Sequence, residues 1–186
     1  MISLVTINTT FKECIETASE CFSREKWALQ PSGIELDKHK SKYGQVTNKG
    51  VVLIAPAFLG TTAYNKLKET MFHEIAHLIV GPKHNHNKHF KYVFSILTDG
   101  IESDESERQK VKVNNGYKYK LLAFTKSKVY ELGGAFRRTK KYTDYGTNDK
   151  PKNMKLLGET IQRFEYIPYN EKPPENAITE VEFLAK

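Results

Sequence analysis

HEIAHLIVGPKHNHNKHF, residues 73–90, holds five of the chain's six histidines. Its first five residues match H-E-x-x-H, a spacing whose reason is geometric. Residues four apart on a helix share a face, so His73 and His77 can aim imidazole nitrogens at a single ion. Glu74 is offset by about 100° from His73. That sets its carboxylate beside such an ion, within reach of a water rather than of the ion itself. The ion this donor set suits is Zn²⁺, held by three protein ligands with a fourth position open. Zinc moves the pKa of water toward ~7 and polarises a scissile carbonyl, while the glutamate takes the proton.

The surrounding pattern predicts a helix over Thr62 to Val80. Leu67, Met71, Ile75 and Leu78 line one face, and Thr70, His73 and His77 lie on another. Gly81-Pro82 ends it, a glycine followed by a residue that cannot continue a helix. A further helix begins near Lys88, with Phe90, Val93, Phe94 and Leu97 on one face and Gly100 after it. Upstream, Thr10-Phe-Lys-Glu13 reads as a capping box. Phe11, Cys14, Ile15, Ala18, Cys21 and Phe22 then recur at helical spacing. Between Trp27 and Pro56, GIELD and GVVLIAPA are β-rich and punctuated by Gly, Pro and Asn, which predicts two or three strands. IESDESERQ (101–109) reads as a solvated acidic connector. Beyond it, YKYKLLAFT, SKVYELGGAF and TIQRFEYIPY are strand-like, with a Lys/Asn/Gly-rich loop at 146–155. NEKPPENAITEVEFLAK opens as a Pro-rich linker and closes in a short strand. The sum is an α+β chain.

At 186 residues, 39% hydrophobic and 27% charged, the composition is that of a soluble globular chain. No apolar run approaches the ~20 residues that span a bilayer, and MISLVTINTTFKE lacks the basic leader and apolar core of a secretory signal. Cys14 and Cys21, the only cysteines, fall seven apart on one helical face. They read as reduced, buried thiols of a cytoplasmic protein, not as a disulfide or zinc ribbon.

The third ligand is a choice among several arrangements. A metzincin, H-E-x-x-H-x-x-G-x-x-H, needs Gly at 80 and His at 83, where this chain has Val80 and Lys83. Gly81 and His84 come one residue late, and nothing about Met154 resembles a Met-turn. A thermolysin-like arrangement would draw on a downstream glutamate, here Glu102 or Glu105 in the acidic stretch.

HEIAHLIV, a short Gly/Pro loop and HNKHFKYVF together resemble the SprT-like (Spartan-type) zinc metalloproteases. In that family H-E-x-x-H ends one helix, and a histidine in an H-G-x-x-F-K-type stretch opens the next. The resemblance covers roughly residues 9–100 and extends to GVVLIAPAFL before the motif helix. It implies a zincin-like core of helix, short β-sheet, motif helix and following helix over 1–105, with 106–186 left as a basic, β-rich C-terminal region. It makes His86 the third ligand, and Phe90-Lys91 match the family's pair. A Gly-Pro turn that reverses the chain would let such a histidine face back to the first two. Asn87 stands where the family has glycine, and no cysteine follows Cys21 to build the zinc ribbon many members carry. His84 and His89 are rivals for His86, or neighbours of the ion. His39 reads as a surface residue. Tyr43 is the one candidate for stabilising an oxyanion.

The net charge of +7 is unevenly spread: residues 108–155 hold fourteen Lys/Arg against three Asp/Glu. Tyr117, Tyr119, Phe124, Tyr130, Phe136, Tyr142 and Tyr145 interleave with them, and Arg137, Arg138, Lys140 and Lys141 form the densest group. Basic groups contact phosphates and aromatic rings stack on unpaired bases, so this half reads as a nucleic-acid surface. The same alternation also describes a half-buried strand with its lysines in solvent. The expected function is a zinc metallopeptidase acting on DNA-associated protein. The alternative is a nucleic-acid-binding protein whose zinc is structural, with His84 or His89 closing a four-ligand shell. A third reading is a peptidase whose basic face serves only solubility.

Overall fold

Ser3 starts the first helix, α1 (Leu4–Cys21), because its hydroxyl accepts from the Thr6 backbone N–H at 3.1 Å while Thr6 Oγ1 accepts from the Ser3 N–H at 3.2 Å. This capping box lies seven residues ahead of the expected one at Thr10-Glu13. Thr10 is a buried interior residue of a longer helix. Ile2 and Ile7 occupy the two positions of a hydrophobic staple, and both are buried in the same core. The paired-thiol expectation is half corrected as well. Cys14 is buried, its thiol pushed up to about 12 by burial, but Cys21 on the last turn is exposed.

The computed structural model describes residues 1–37, 42–102, 104–147, 151–179 and 182; His39 lies outside them. The chain is α+β and divides into two compact units, Met1–Asn115 and Gly116–Lys186. Among the described residues no helix is long and apolar enough to cross a membrane.

In the first unit, three strands follow α1: β1 (Gly33–Leu36), β2 (Gly44–Val46) and β3 (Val51–Ile54). They pair in the order β1-β3-β2, parallel between β1 and β3 and antiparallel between β3 and β2, which leaves β2 on an edge. The motif helix α2 (Tyr64–Val80) packs on β2 and β3, and the next helix α3 (Lys88–Leu97) packs on α1 and α2. Leu67, Met71, Ile75 and Leu78 are fully buried against residues of α1, β3 and α3 in one cluster. Each such side chain contributes about 1.5–3 kcal/mol by leaving water, and together they fix which face of α2 turns inward.

The stretch at 101–109 is not a solvated connector. Asp104 caps a helix, α4 (Glu105–Asn114), by accepting from the Glu107 N–H at 2.8 Å. Val111 on its inner face is fully buried. Glu107 in turn accepts from the Asn65 and Lys66 backbone N–H groups, at 3.3 and 2.7 Å. Ala63, at the N-cap of α2, has no side chain for that task. A carboxylate from α4 thus satisfies two open donors at the positive end of the metal-motif helix.

In the second unit, β4 (Tyr119–Phe124) lies between β8 (Arg163–Pro168) and β5 (Val129–Ala135), with β9 (Ala177–Ile178) at the far edge. A four-residue helix, α5 (Lys140–Thr143), and a small hairpin of β6 (Lys155–Leu156) and β7 (Glu159–Thr160) come between β5 and β8. Leu122, Val129 and Ile167 cluster on one side of the sheet; Ala123, Tyr145 and Ile161 cluster on the other with Phe164 and Met154.

Candidate metal centre

His73 and His77 project from successive turns of α2, as four-residue spacing requires. The helix stops at Gly81, whose φ of +93° is open to glycine and strained for other residues. A short 3₁₀ turn, Pro82–His84, follows. Asn85 then takes φ +44°, a conformation asparagine tolerates better than most residues, and His86 follows it. Asn87 caps α3 by accepting from the Phe90 N–H at 3.0 Å. The residue that departs from the family's glycine therefore has a structural task of its own.

This turn brings His86 to the helix pair. One ring nitrogen from each of His73, His77 and His86 lies within 4.8 Å of the others, and His73 Nε2 and His86 Nε2 are 3.0 Å apart. Ions of zinc's size bind imidazole at about 2.0–2.1 Å with tetrahedral angles, which separates ligand nitrogens by about 3.3 Å. The His73–His86 separation lies close to that value and the His77 nitrogen is within 4.8 Å of both, so the group could hold a metal ion. The Phe90 ring backs all three imidazoles, with centroids 4.9 Å from His73, 4.4 Å from His77 and 4.8 Å from His86. Phe94 stacks behind it at 5.8 Å.

The electrostatics suit a cation. Burial, then the neighbouring His77 and His86, lowers the His73 pKa to about 4. Burial and His86 also lower that of His77. Both are thus neutral at pH 7, the form whose lone pair binds a metal. His77 Nδ1 is buried without a hydrogen-bond partner among the described residues. Such a nitrogen is costly unless something else uses it.

Glu74 is 4% exposed, and burial pushes its carboxyl up to about 7 while the charge of Lys42 pulls the other way. Gly44, on the edge strand, makes room for it. A Cβ there would fall 2.9 Å from Glu74 Cγ and 3.0 Å from Thr70 Cγ2. Two cavities of about 330 Å³ each meet at Glu74 and His73. One runs past Tyr43, Lys66, Glu69 and Thr70, the other past Gln45, Val46, His77, Asn85 and His86; Lys42 and Gly44 line both.

The other candidates sit elsewhere. His84 bonds Asn87 Nδ2 at 3.1 Å and meets His89 edge to face at 5.9 Å, and both stand outside the three-histidine group. Glu102 and Glu105 are also outside it. Tyr43 packs its ring on Phe58 at 6.0 Å and lies under the Lys66 ammonium. In the second unit Arg137, Arg138, Lys140 and Lys141 are all exposed. The Arg138 guanidinium lies 4.9 Å over the Tyr119 ring and Lys141 4.9 Å over Tyr142. Tyr166 sits 5.9 Å from Tyr119 and 6.3 Å from Tyr142. Two of the expected stacking rings are core residues instead. Tyr130 is 2% exposed, and Tyr145 is 8% exposed with its hydroxyl donating to the Ile161 carbonyl and accepting from the Met154 N–H. Sequence reading missed Lys42 and Gly44 at the centre, and found Phe90 only as an apolar-face residue and a member of the family's pair. No local pattern flags the first two, because Lys42 lies outside β2 and that strand is three residues long.

Compared with known proteins, the chain matches no family model, no curated protein and no solved structure.

Proposed function

We propose that this chain is a zinc-dependent metallopeptidase of SprT-like type that hydrolyses peptide bonds in nucleic-acid-associated proteins. The observation that carries the reading is the donor set itself: three imidazoles gathered from one helix and one loop, with a buried carboxylate beside them in an open cleft. Zinc bound by His73, His77 and His86 would supply Lewis acidity toward water and a carbonyl.

The chain's own groups do the rest. Glu74 takes a proton from the attacking water as the water oxygen bonds to the carbonyl carbon. The same carboxyl then delivers that proton to the amine nitrogen as the C–N bond breaks. β2 borders the cleft as an edge strand. An edge offers unpaired backbone N–H and C=O groups to an extended peptide, which favours a polypeptide substrate over a small one. Gly44 lets that backbone approach Glu74 closely. The structural-zinc alternative needs a fourth protein ligand, and neither His84 nor His89 joins the group. Arg137, Arg138, Lys140 and Lys141, beside the Tyr119, Tyr142 and Tyr166 rings, support binding of nucleic acid by the second unit.

The test is cleavage of an unfolded protein by the zinc-loaded chain, abolished by chelator and restored by Zn²⁺. Glu74→Gln should keep the zinc and lose turnover by about 10²–10⁴-fold. Unchanged proteolysis by Glu74→Gln would sink the mechanism.

A further inference from the structure

Water addition to a peptide carbonyl moves negative charge onto the carbonyl oxygen as the new C–O bond forms. A donor aimed at that oxygen accelerates the step, because it binds the charge that develops and not the starting carbonyl. Such a donor must reach the place where Glu74 and the histidines converge. Few side chains around the cleft qualify. Lys66 is tied to Glu69 by an ion pair of 3.0 Å and lines only one cavity. Tyr43 lines that same cavity and has its ring on Phe58. Gln45 and Asn85 line only the other.

Lys42 lines both. It stands two residues before β2, across a bend at Tyr43. Gly44, the first residue of that strand, comes close to Glu74 and Thr70, and this brings the segment just ahead of it to the same cleft. Its side chain is exposed and has no ion-pair or hydrogen-bond partner among the described residues. An ammonium on a flexible stem with three donors is therefore poised at the mouth of the site.

We propose that Lys42 is a further catalytic residue, whose ammonium donates a hydrogen bond to the carbonyl oxygen as it becomes an oxyanion. The inference rests on the peptidase reading and names the electrophilic partner of Glu74. Lys42 forms no bond to carbon and gives up no proton. It holds the charge until the C–N bond breaks and the carbonyl re-forms.

Lys42→Met keeps the stem and removes the charge, and an exposed side chain is no part of the core. Full zinc content and an unshifted melting temperature check that the variant is folded. The expected result is a fall in kcat of about 100-fold, the scale for losing one oxyanion donor, with KM little changed and partial recovery in Lys42→Arg. A second readout needs no turnover. A phosphinic peptide, whose tetrahedral anion resembles the charged adduct, should bind the zinc-loaded Lys42→Met protein ~10–100-fold more weakly than wild type. An uncharged peptide of the same sequence should bind the Glu74→Gln protein equally with and without Lys42→Met. Wild-type kcat in Lys42→Met overturns the proposal and leaves the peptidase reading standing. So does a rise confined to KM for substrates with acidic side chains, which would make Lys42 a specificity determinant. Absence of zinc-dependent cleavage by the wild-type chain overturns both.

Discussion

In the first unit, three histidines reach one point from a helix and a tight turn, with ring nitrogens within 4.8 Å of one another over a single phenylalanine. In the second, four basic side chains stand outside the core of a small sheet whose tyrosines divide between surface and interior. Both groups are dense in sequence, yet only one converges. A metal site forces convergence, since removing one ligand leaves the others without their shared purpose. A phosphate-binding surface asks only that charges lie along a face, and each contributes nearly independently. The sharpest contrast should therefore emerge from single substitutions.

His86→Ala offers the largest effect. Losing a direct ligand should cost more than the ~10–100-fold in zinc affinity that goes with loss of an outer partner. His84→Ala and His89→Ala should leave zinc binding within a few-fold of wild type, read by competition with a chromophoric chelator. Equal losses at His84 and His86 would break the three-ligand assignment and restore the closed four-ligand shell.

The basic face should respond by increments. Replacing Arg137, Arg138, Lys140 and Lys141 with Ala, one after another, should weaken single-stranded DNA binding stepwise. The dependence on salt should flatten at each step, by a slope of about 0.7 for each phosphate the protein no longer neutralises. Zinc content should not move. If all four can be removed with no change in affinity or slope, the charge serves solubility alone.

The same contrast explains what could be read from the sequence. His73, Glu74 and His77 were legible because helix geometry is local, and four-residue spacing settles the face they share. His86 was not legible in that way. Its approach depends on Gly81 at φ +93° and Asn85 at φ +44°, and spacing alone left His84 and His89 as equals. Tyr130 looked like a surface ring because a period of two marks two faces of a strand without saying which meets solvent, and Tyr145 because it stands in a charged segment beyond α5, whose return onto Ile161 is a tertiary contact. Here both faces of the sheet carry a small cluster, so the alternation had no single inside. Lys42 and Gly44 precede or open a three-residue strand, too short for its pattern to show. The helix α4 was hidden by composition. Its charges suggested solvent, but one of its glutamates is occupied by another helix.

That glutamate sets the smallest effect and decides where the first unit ends. Glu107 accepts from Asn65 and Lys66 N–H groups at the start of α2, a task normally done by the helix's own N-cap side chain. Truncating an N-cap costs about 0.5–2 kcal/mol, so Glu107→Ala should lower the stability of the unit carrying the histidines by about 1 kcal/mol. In thermal unfolding that corresponds to a shift of about 4–8 °C for a domain near this size. Glu105→Ala is the control: it sits on the same first turn of α4 but accepts from no backbone group of α2, and surface substitutions of that kind stay within about 0.5 kcal/mol. Glu107→Gln should recover most of the deficit, because an amide oxygen can accept one of the two hydrogen bonds. If Glu107→Ala and Glu105→Ala unfold at the same temperature, α4 contributes no cap and residues 101–109 revert to an acidic connector. If only Glu107→Ala shifts, the helix bearing His73 and His77 is held at its N-terminus by a residue thirty positions beyond His77, and the unit carrying the histidines extends through α4.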